Sequence, residues 1–176
     1  MQSSHLSYIS DTDRCYGATG MSIALVVFDG EEKLASVDLD REPQDILQLT
    51  EESFFSGNPS MSAKHAWHQI LSNFNLQMAM MMGNVMCRRL VMQHVDVDPD
   101  TRSALLSLLI SEGSDTCSLD DDETTRLFNK NYSYLLRVFS HYGVQAIARD
   151  FAAELSQRRR MTQGDIIEKL QPLSHL

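Results

Sequence analysis

The chain has 176 residues, a formal net charge of −9 and a pI of about 5.0, and 43% of its residues are hydrophobic. A chain of this length predicts one domain with a substantial buried core. The excess of negative charge disfavours a general affinity for nucleic acid or anionic membranes, because both attract a dominant positive field. No apolar run reaches the roughly 18 residues that a membrane-spanning helix needs, so we expect no membrane association.

The three cysteines, Cys15, Cys87 and Cys117, are far apart in the sequence and form no CxxC pair. This pattern favours reduced thiols of the kind found in the cytosol over a disulfide framework or a zinc site. The N-terminus lacks the basic start and the apolar core of a signal peptide. We therefore expect a cytoplasmic protein whose three thiols are free.

The first 40 residues predict an arm followed by a β-hairpin. Residues 1–20 are polar and show no hydrophobic period, which is typical of a loosely held arm. Residues 23–28 form a continuous apolar run rich in β-branched side chains, and such runs predict buried strands. Asp29-Gly30 is a turn signal, and residues 33–39 alternate between polar and apolar. The prediction is an arm over residues 1–20 and a hairpin over residues 21–40.

After an ambiguous stretch, the chain predicts helices over residues 60–172. The longest predicted helix begins near Ala63, where Ser60 or Ser62 could cap it. It contains six of the ten methionines, which are Met78, Met80, Met81, Met82, Met86 and Met92. Gly83 is a candidate position for a kink or an end of this helix.

Trp67, Phe74 and Met81 share the broad apolar stripe of the long helix, and we expect all three to be mostly buried. Four further helices are predicted from capping signals and apolar periodicity, beginning in chain order at Asp98, at residues 118–121, after Gly143 and at Thr162.

The predicted fold is α+β and mostly α. It consists of an N-terminal β-hairpin or small antiparallel sheet followed by about five helices, with the methionine-bearing helix at the centre. These elements form one predicted domain over residues 21–176.

The methionine run predicts either core filler or an adaptable contact surface, because methionine is flexible and polarizable. Core filler is the commoner role. A Cu(I) site at Met78 and Met80 is disfavoured, because no histidine lies close to that pair. Leu76, Met80, Leu90 and Val91 lie off the main stripe, so the long helix has apolar groups on more than one side. Such a helix predicts a homodimer, unless helices of the same domain cover it.

His65 and His68 stand one turn apart, on the side of the helix away from the apolar stripe. This spacing would suit a metal ligand pair or acid–base chemistry. No third ligand follows in a recognised motif, and exposed histidines without such a role are more common. A metal-dependent enzyme or metal-binding protein that uses these histidines with remote carboxylates is the first alternative.

Two arginine groups are candidate partner-binding residues. Arg88 and Arg89 fall on the apolar stripe, where an unpaired charge would be costly. They predict an anion or partner site, although a change of helical phase after Gly83 would leave them solvated and is the favoured explanation. Arg158, Arg159 and Arg160 form the chain's basic run. They predict either a helix end or contacts to phosphate, and a nucleic-acid-associated factor is the second alternative.

The sequence contains no GxxxxGK[ST], GxGxxG, GxSxG or HExxH motif, so no familiar catalytic constellation is indicated. We therefore expect a non-catalytic cytosolic interaction or regulatory protein with no cofactor. Its expected partner is a second copy of the chain or another protein.

Overall fold

The computed structural model describes residues 7–50 and 63–176. Within these residues the protein is mostly helical, with six α-helices and a small antiparallel sheet. The helices are α1 (Asp11–Val27), α2 (Ala63–Met86), α3 (Pro99–Cys117), α4 (Asp121–Ser140), α5 (Tyr142–Arg158) and α6 (Gln163–Leu170). The strands are β1 (Leu34–Asp38), β2 (Leu47–Leu49) and β3 (Arg160–Thr162). The predicted mostly α fold, with five helices after a small sheet region, is confirmed.

Helix α1 covers residues 11–20 of the predicted arm and the first strand of the predicted hairpin, so the predicted strand is wrong and so is the arm over residues 11–20. Residues 1–6 of the predicted arm lie outside the described residues. The Ser10 hydroxyl caps the helix by accepting a hydrogen bond from the backbone N–H of Asp13. The β-branched run becomes helical because α1 is packed between α2 and α5, and burial on several sides overrides weak strand propensity. The Asp29-Gly30 signal ends this helix, with the Gly30 N–H donating to the Leu25 carbonyl over 2.8 Å.

Strand β1 is the predicted second strand of the hairpin, and it is central in the sheet. It pairs antiparallel with β2, where Val37 lies opposite Leu47, and with β3, where Val37 lies opposite Met161. The strand order is therefore β2-β1-β3. Because β2 is an edge strand, its outer side is not paired with any strand in the described part of the chain.

Helix α2 runs through Gly83 without ending, so the predicted end or phase change there is wrong. Gly83 instead meets Gly20 of α1 at a close helix crossing. A Cβ atom on Gly20 would lie 2.0 Å from the Gly83 carbonyl oxygen, and one on Gly83 would lie 2.4 Å from the Gly20 oxygen. Only glycine permits the two backbones to approach so closely. After Met86 the helix continues as a π-helical segment, Cys87–Met92.

The core is centred on α2. Met78, Met82 and Met86 are completely buried and Phe74 nearly so, which makes half of the methionine run core filler. Trp67 is 43% exposed, so its predicted burial is wrong; it lies near the start of α2, before the helix reaches its packed part. Met81 is half-buried.

The later helices begin largely where their caps predict. The Asp98 carboxylate accepts from the Thr101 N–H, and Thr162 with Asp165 forms a capping box. The capping box of α4 is formed by Asp120 and Glu123, slightly later than predicted. The boundary between α4 and α5 lies at His141, before Gly143. Among the described helices, none is long and apolar enough to cross a membrane.

Candidate interaction groove

A groove of about 830 Å³ lies between one face of α2, part of α1 and the β1–β2 edge of the sheet. Its apolar lining includes Met21, Leu25, Leu47, Leu49, Phe74 and Met80. A pocket of this size falls in the range that binds ligands. The groove is the larger of two concave surfaces described below.

Helical periodicity builds the α2 wall of the groove. Ile70, Phe74, Gln77 and Asn84 recur at intervals of three, four or seven residues and therefore share one face of the helix. On the opposite wall, Leu47 and Leu49 alternate along β2 and lie on the same side of that strand. The groove thus combines a helical wall with an edge of the described sheet.

The polar groups of the groove are mostly amides. Asn73 accepts a hydrogen bond from the Lys33 ammonium over 2.8 Å, and the Gln77 amide donates to Glu112 over 3.0 Å. Among the described residues that line the groove, the charged ones are Lys33 and Asp45, so the formal charges of this described lining cancel although the chain carries −9. Amide side chains both donate and accept hydrogen bonds, which suits contacts with a peptide backbone.

One end of the groove is fixed by a buried ion pair between Arg88 and Asp13. The Arg88 guanidinium donates to the two Asp13 carboxylate oxygens over 2.5 and 2.6 Å, and to the Ser7 carbonyl over 2.8 Å. It also lies 4.9 Å from the centre of the Tyr8 ring. Arg88 is 8% exposed and Asp13 is fully buried. The favoured explanation of a solvated Arg88 is therefore wrong, because α1 supplies a carboxylate partner.

The ion pair positions two residues that line the groove, Tyr8 and Asn84. The Asn84 amide donates to the Tyr8 hydroxyl over 2.7 Å and also accepts from Arg88 over 3.3 Å. Burial raises the pKa of Tyr8, while the hydrogen bond from Asn84 and the charge of Arg88 oppose this shift. Arg88 therefore acts on the groove through its neighbours and does not itself line it.

Arg89 also has an internal carboxylate partner. Its guanidinium lies 3.2 Å from Asp98 and donates to Gln93 over 2.8 Å. Asp98 caps α3, and the backbone N–H of Thr101, followed by the Thr101 hydroxyl, holds the pKa of this carboxyl below its usual value. Arg89 does not line the groove.

Two arginines of the basic run at the end of α5 form ion pairs within the chain. Arg158 lies 3.1 Å from Glu154 and 3.0 Å from Asp165. Arg159 lies 2.6 Å from Asp11 and 2.7 Å from Asp40, and the hydrogen bond from Arg159 lowers the pKa of the Asp11 carboxyl.

Arg160, the third member of this run, is exposed on β3 and forms no ion pair with a described residue. Arg158 and Arg159 connect α5 to α6, to the start of α1 and to the turn after β1. The run is therefore occupied mainly with internal contacts, which leaves little free positive charge for a phosphate backbone.

His68 is exposed, and its ring meets that of Trp67 in an edge-to-face arrangement, with the ring centres 5.4 Å apart. The side chain of His65 lies outside the described residues. Within residues 7–50 and 63–176, apart from that side chain, no group of three His, Cys, Asp or Glu side chains could hold a metal ion. His68 instead lines a second pocket with Lys130 and Arg137, whose positive charges oppose cation binding.

The three cysteines are buried and unbridged, which confirms the predicted free thiols. The Cys15 thiol donates to the Ala152 carbonyl over 3.1 Å. Burial raises the pKa of Cys15 to about 11 and that of Cys87 still further. A thiol that stays protonated near neutral pH is a poor nucleophile, so neither of these two cysteines resembles a catalytic one.

Comparison with known proteins gives no relative, because the chain matches no described protein family, no curated protein and no solved structure. The groove must therefore be interpreted from its own chemistry. Sequence reasoning missed it because its walls come from α1, β2 and α2, which are distant in the chain. The sequence signal that could have indicated the groove is the pair of amides Asn73 and Gln77, which lie among apolar residues on one face of α2.

Proposed function

We propose that this protein is a non-catalytic interaction protein whose groove binds an extended, uncharged and apolar segment of another protein. The observation that carries the proposal is that the described residues form a groove of about 830 Å³ with an apolar lining and with one positive and one negative side chain, Lys33 and Asp45. Removing such a surface from water is favourable in proportion to the apolar area covered.

The edge position of β2 favours an extended occupant. Edge strands present unpaired backbone N–H and C=O groups, and an added peptide strand can pair with them. In an extended peptide, alternate side chains point to the same side and could reach the apolar residues Leu47, Leu49 and Met80. Amide side chains such as Gln44, which is exposed, could then hydrogen-bond the peptide backbone.

The charge distribution favours an uncharged segment. Lys33 is already bonded to Asn73, and Asp45 is exposed at the margin of the groove. Neither charge therefore provides a strong preference for an acidic or a basic ligand. An acidic segment would also approach against the net charge of −9.

A selection of short random peptides displayed on phage tests the chemistry of the occupant. We expect the enriched peptides to carry apolar residues at alternate positions and no net charge. Their capture should be lost with Met80→Lys and with Leu47→Lys, which place a charge on opposite walls of the groove. It should be retained by Tyr142→Lys, since Tyr142 is 80% exposed and lies outside the groove.

Absence of enrichment would contradict the proposal, as would enrichment of charged peptides. Retention of the peptides by both folded groove variants would place the binding surface elsewhere. Far-ultraviolet circular dichroism would establish that each variant is folded.

Self-association is a separate prediction, and the structure weakens part of its motivation. Leu76 and Val91, which lie off the main stripe, are buried within the chain, whereas Met80 and Leu90 are half-buried. Sedimentation equilibrium over a wide concentration range is the test. A mass that stays at the monomer value of 19.9 kDa would refute a homodimer without affecting the groove.

We also propose a cytoplasmic location. Three buried, unbridged thiols suit a reducing compartment. Fluorescence imaging of the tagged full chain would test this location, and a secreted or organelle-bound signal would contradict it.

A further inference from the structure

A second pocket, of about 530 Å³, lies between α2 and α4. Its α2 residues are His68, Leu71, Ser72 and Asn75. At about 100° per residue, these residues occupy the face of α2 opposite to the groove. The two concave surfaces are therefore separate and have different linings.

The second pocket contains two cations that form no ion pair with a described residue. Lys130 and Arg137 both line it and are exposed. They are separated by two turns of α4, so their side chains emerge on the same face. Neither carries an ion pair in the described parts of the chain, and none of the described residues that line the pocket is Asp or Glu. This is a local positive field in a chain of net charge −9.

The pocket also contains oriented amides. Asn131 is 4% exposed, and its amide donates to the Asn75 side-chain oxygen over 2.7 Å. The Asn75 NH₂ group has no acceptor among the described residues. It is therefore available to donate to a ligand, in addition to the donors of Lys130 and Arg137.

The remaining lining is apolar and aromatic. Phe28 and Tyr134 meet edge to face with their ring centres 5.5 Å apart, and Leu71 and Leu127 also line the pocket. Such surfaces favour the hydrocarbon part of a ligand. Cations beside an apolar wall match a molecule that has a charged end and an apolar body.

We propose that this pocket binds a small organic anion. Its carboxylate or phosphate contacts Lys130 and Arg137, and its aromatic or aliphatic body packs against Phe28, Leu71 and Leu127. The volume of about 530 Å³ is in the range of small-molecule sites. This inference does not depend on the groove, because the two surfaces lie on opposite faces of α2.

Isothermal titration calorimetry with 1-naphthoate and 1-naphthyl phosphate tests the pocket and distinguishes the two anionic groups. Lys130→Gln and Arg137→Gln should each weaken binding about tenfold, since each removes a charge-assisted hydrogen bond. Arg126→Gln is the matched control, because Arg126 is an exposed cation on the same helix but does not line the pocket. Its binding should stay within about twofold of that of the unmodified protein.

The uncharged 1-naphthamide and inorganic phosphate are the ligand controls, and both should bind more weakly than the naphthyl anions. Equal binding of 1-naphthamide would overturn the role of the cations. Equal binding of inorganic phosphate would overturn the role of the apolar wall. No binding of either naphthyl anion at millimolar concentration, or an equal loss with Arg126→Gln, would overturn the proposed site.

Discussion

Helix α2 carries methionines both on its buried side, which faces the core, and on its open side, which lines the groove. Met78 and Met82 are completely buried inside the domain, whereas Met80 is half-buried and lines the groove. Methionine therefore fills the core on one face of this helix and forms a contact surface on another face. The difference shows that a methionine-rich helix does not define an interface by itself, because the elements that cover it decide which of its faces stay open.

The largest expected effect comes from breaking the buried ion pair at one end of the groove. Asp13→Ala leaves the buried Arg88 guanidinium without its carboxylate, and it should lower the free energy of unfolding by about 3–5 kcal/mol. Urea denaturation measures the change. Asp11→Ala is the matched control: its carboxylate is exposed and pairs with Arg159, so it should cost no more than about 1 kcal/mol. Equal losses of unfolding free energy in the two variants would contradict a special contribution of the Arg88–Asp13 pair to stability.

The two methionine environments can be compared directly by the same substitution. Met82→Ala removes a completely buried side chain and should cost about 2–5 kcal/mol. Met80→Ala removes a half-buried side chain from the groove wall, and we expect a loss of about 1 kcal/mol. Urea midpoints with unchanged slopes give both values. A loss for Met80→Ala as large as that for Met82→Ala would mean that the groove is filled in the folded chain.

The close approach of α1 and α2 at Gly20 and Gly83 provides a steric test of the buried side of α2. Gly20→Ala places a methyl group against the backbone of Gly83, and the required separation of the helices should cost about 1–3 kcal/mol. Gly164→Ala is the control, because a Cβ atom there meets only the Thr162 hydroxyl at 3.9 Å. The control should be neutral or slightly stabilising. A neutral Gly20→Ala would contradict the close crossing.

The smallest perturbation is thiol labelling of the unmodified protein. Because Cys15, Cys87 and Cys117 are buried, iodoacetamide should react slowly with the native chain near neutral pH. The raised pKa of Cys15, about 11, means that its reactive thiolate form increases only at alkaline pH. Mass spectrometry should show three labels after denaturation without reductant. Rapid native labelling of Cys87 would show that the α1–α2 contact opens easily.

The sequence predicts the starts of the later helices because caps are local. Asp98 and Thr162 bond to backbone groups a few residues away, and that information is contained in a short window. Helix α1 was missed because the β-branched residues 23–28 favour a strand locally. This segment is helical because α1 packs between α2 and α5, which are both distant from it in the chain.

The candidate surfaces were harder to predict for the same reason. The need of Arg88 for a carboxylate follows from its apolar surroundings, but its partner Asp13 lies 75 residues away. His68 and Arg137 lie on helices that are distant in the chain, and only the packing of α2 against α4 brings them to one pocket. Such convergence depends on tertiary contacts that helical periodicity does not specify.

The affinity of a display-selected peptide for three forms of the protein tests the central claim, that the open side of α2 is the interaction site. Calorimetry should give binding at least about tenfold weaker for Met80→Lys than for the unmodified chain, because a charged side chain would be placed against an apolar ligand. Tyr142→Lys should bind as tightly as the unmodified chain. Equal affinity of folded Met80→Lys, or an equal loss with Tyr142→Lys, would contradict the claim.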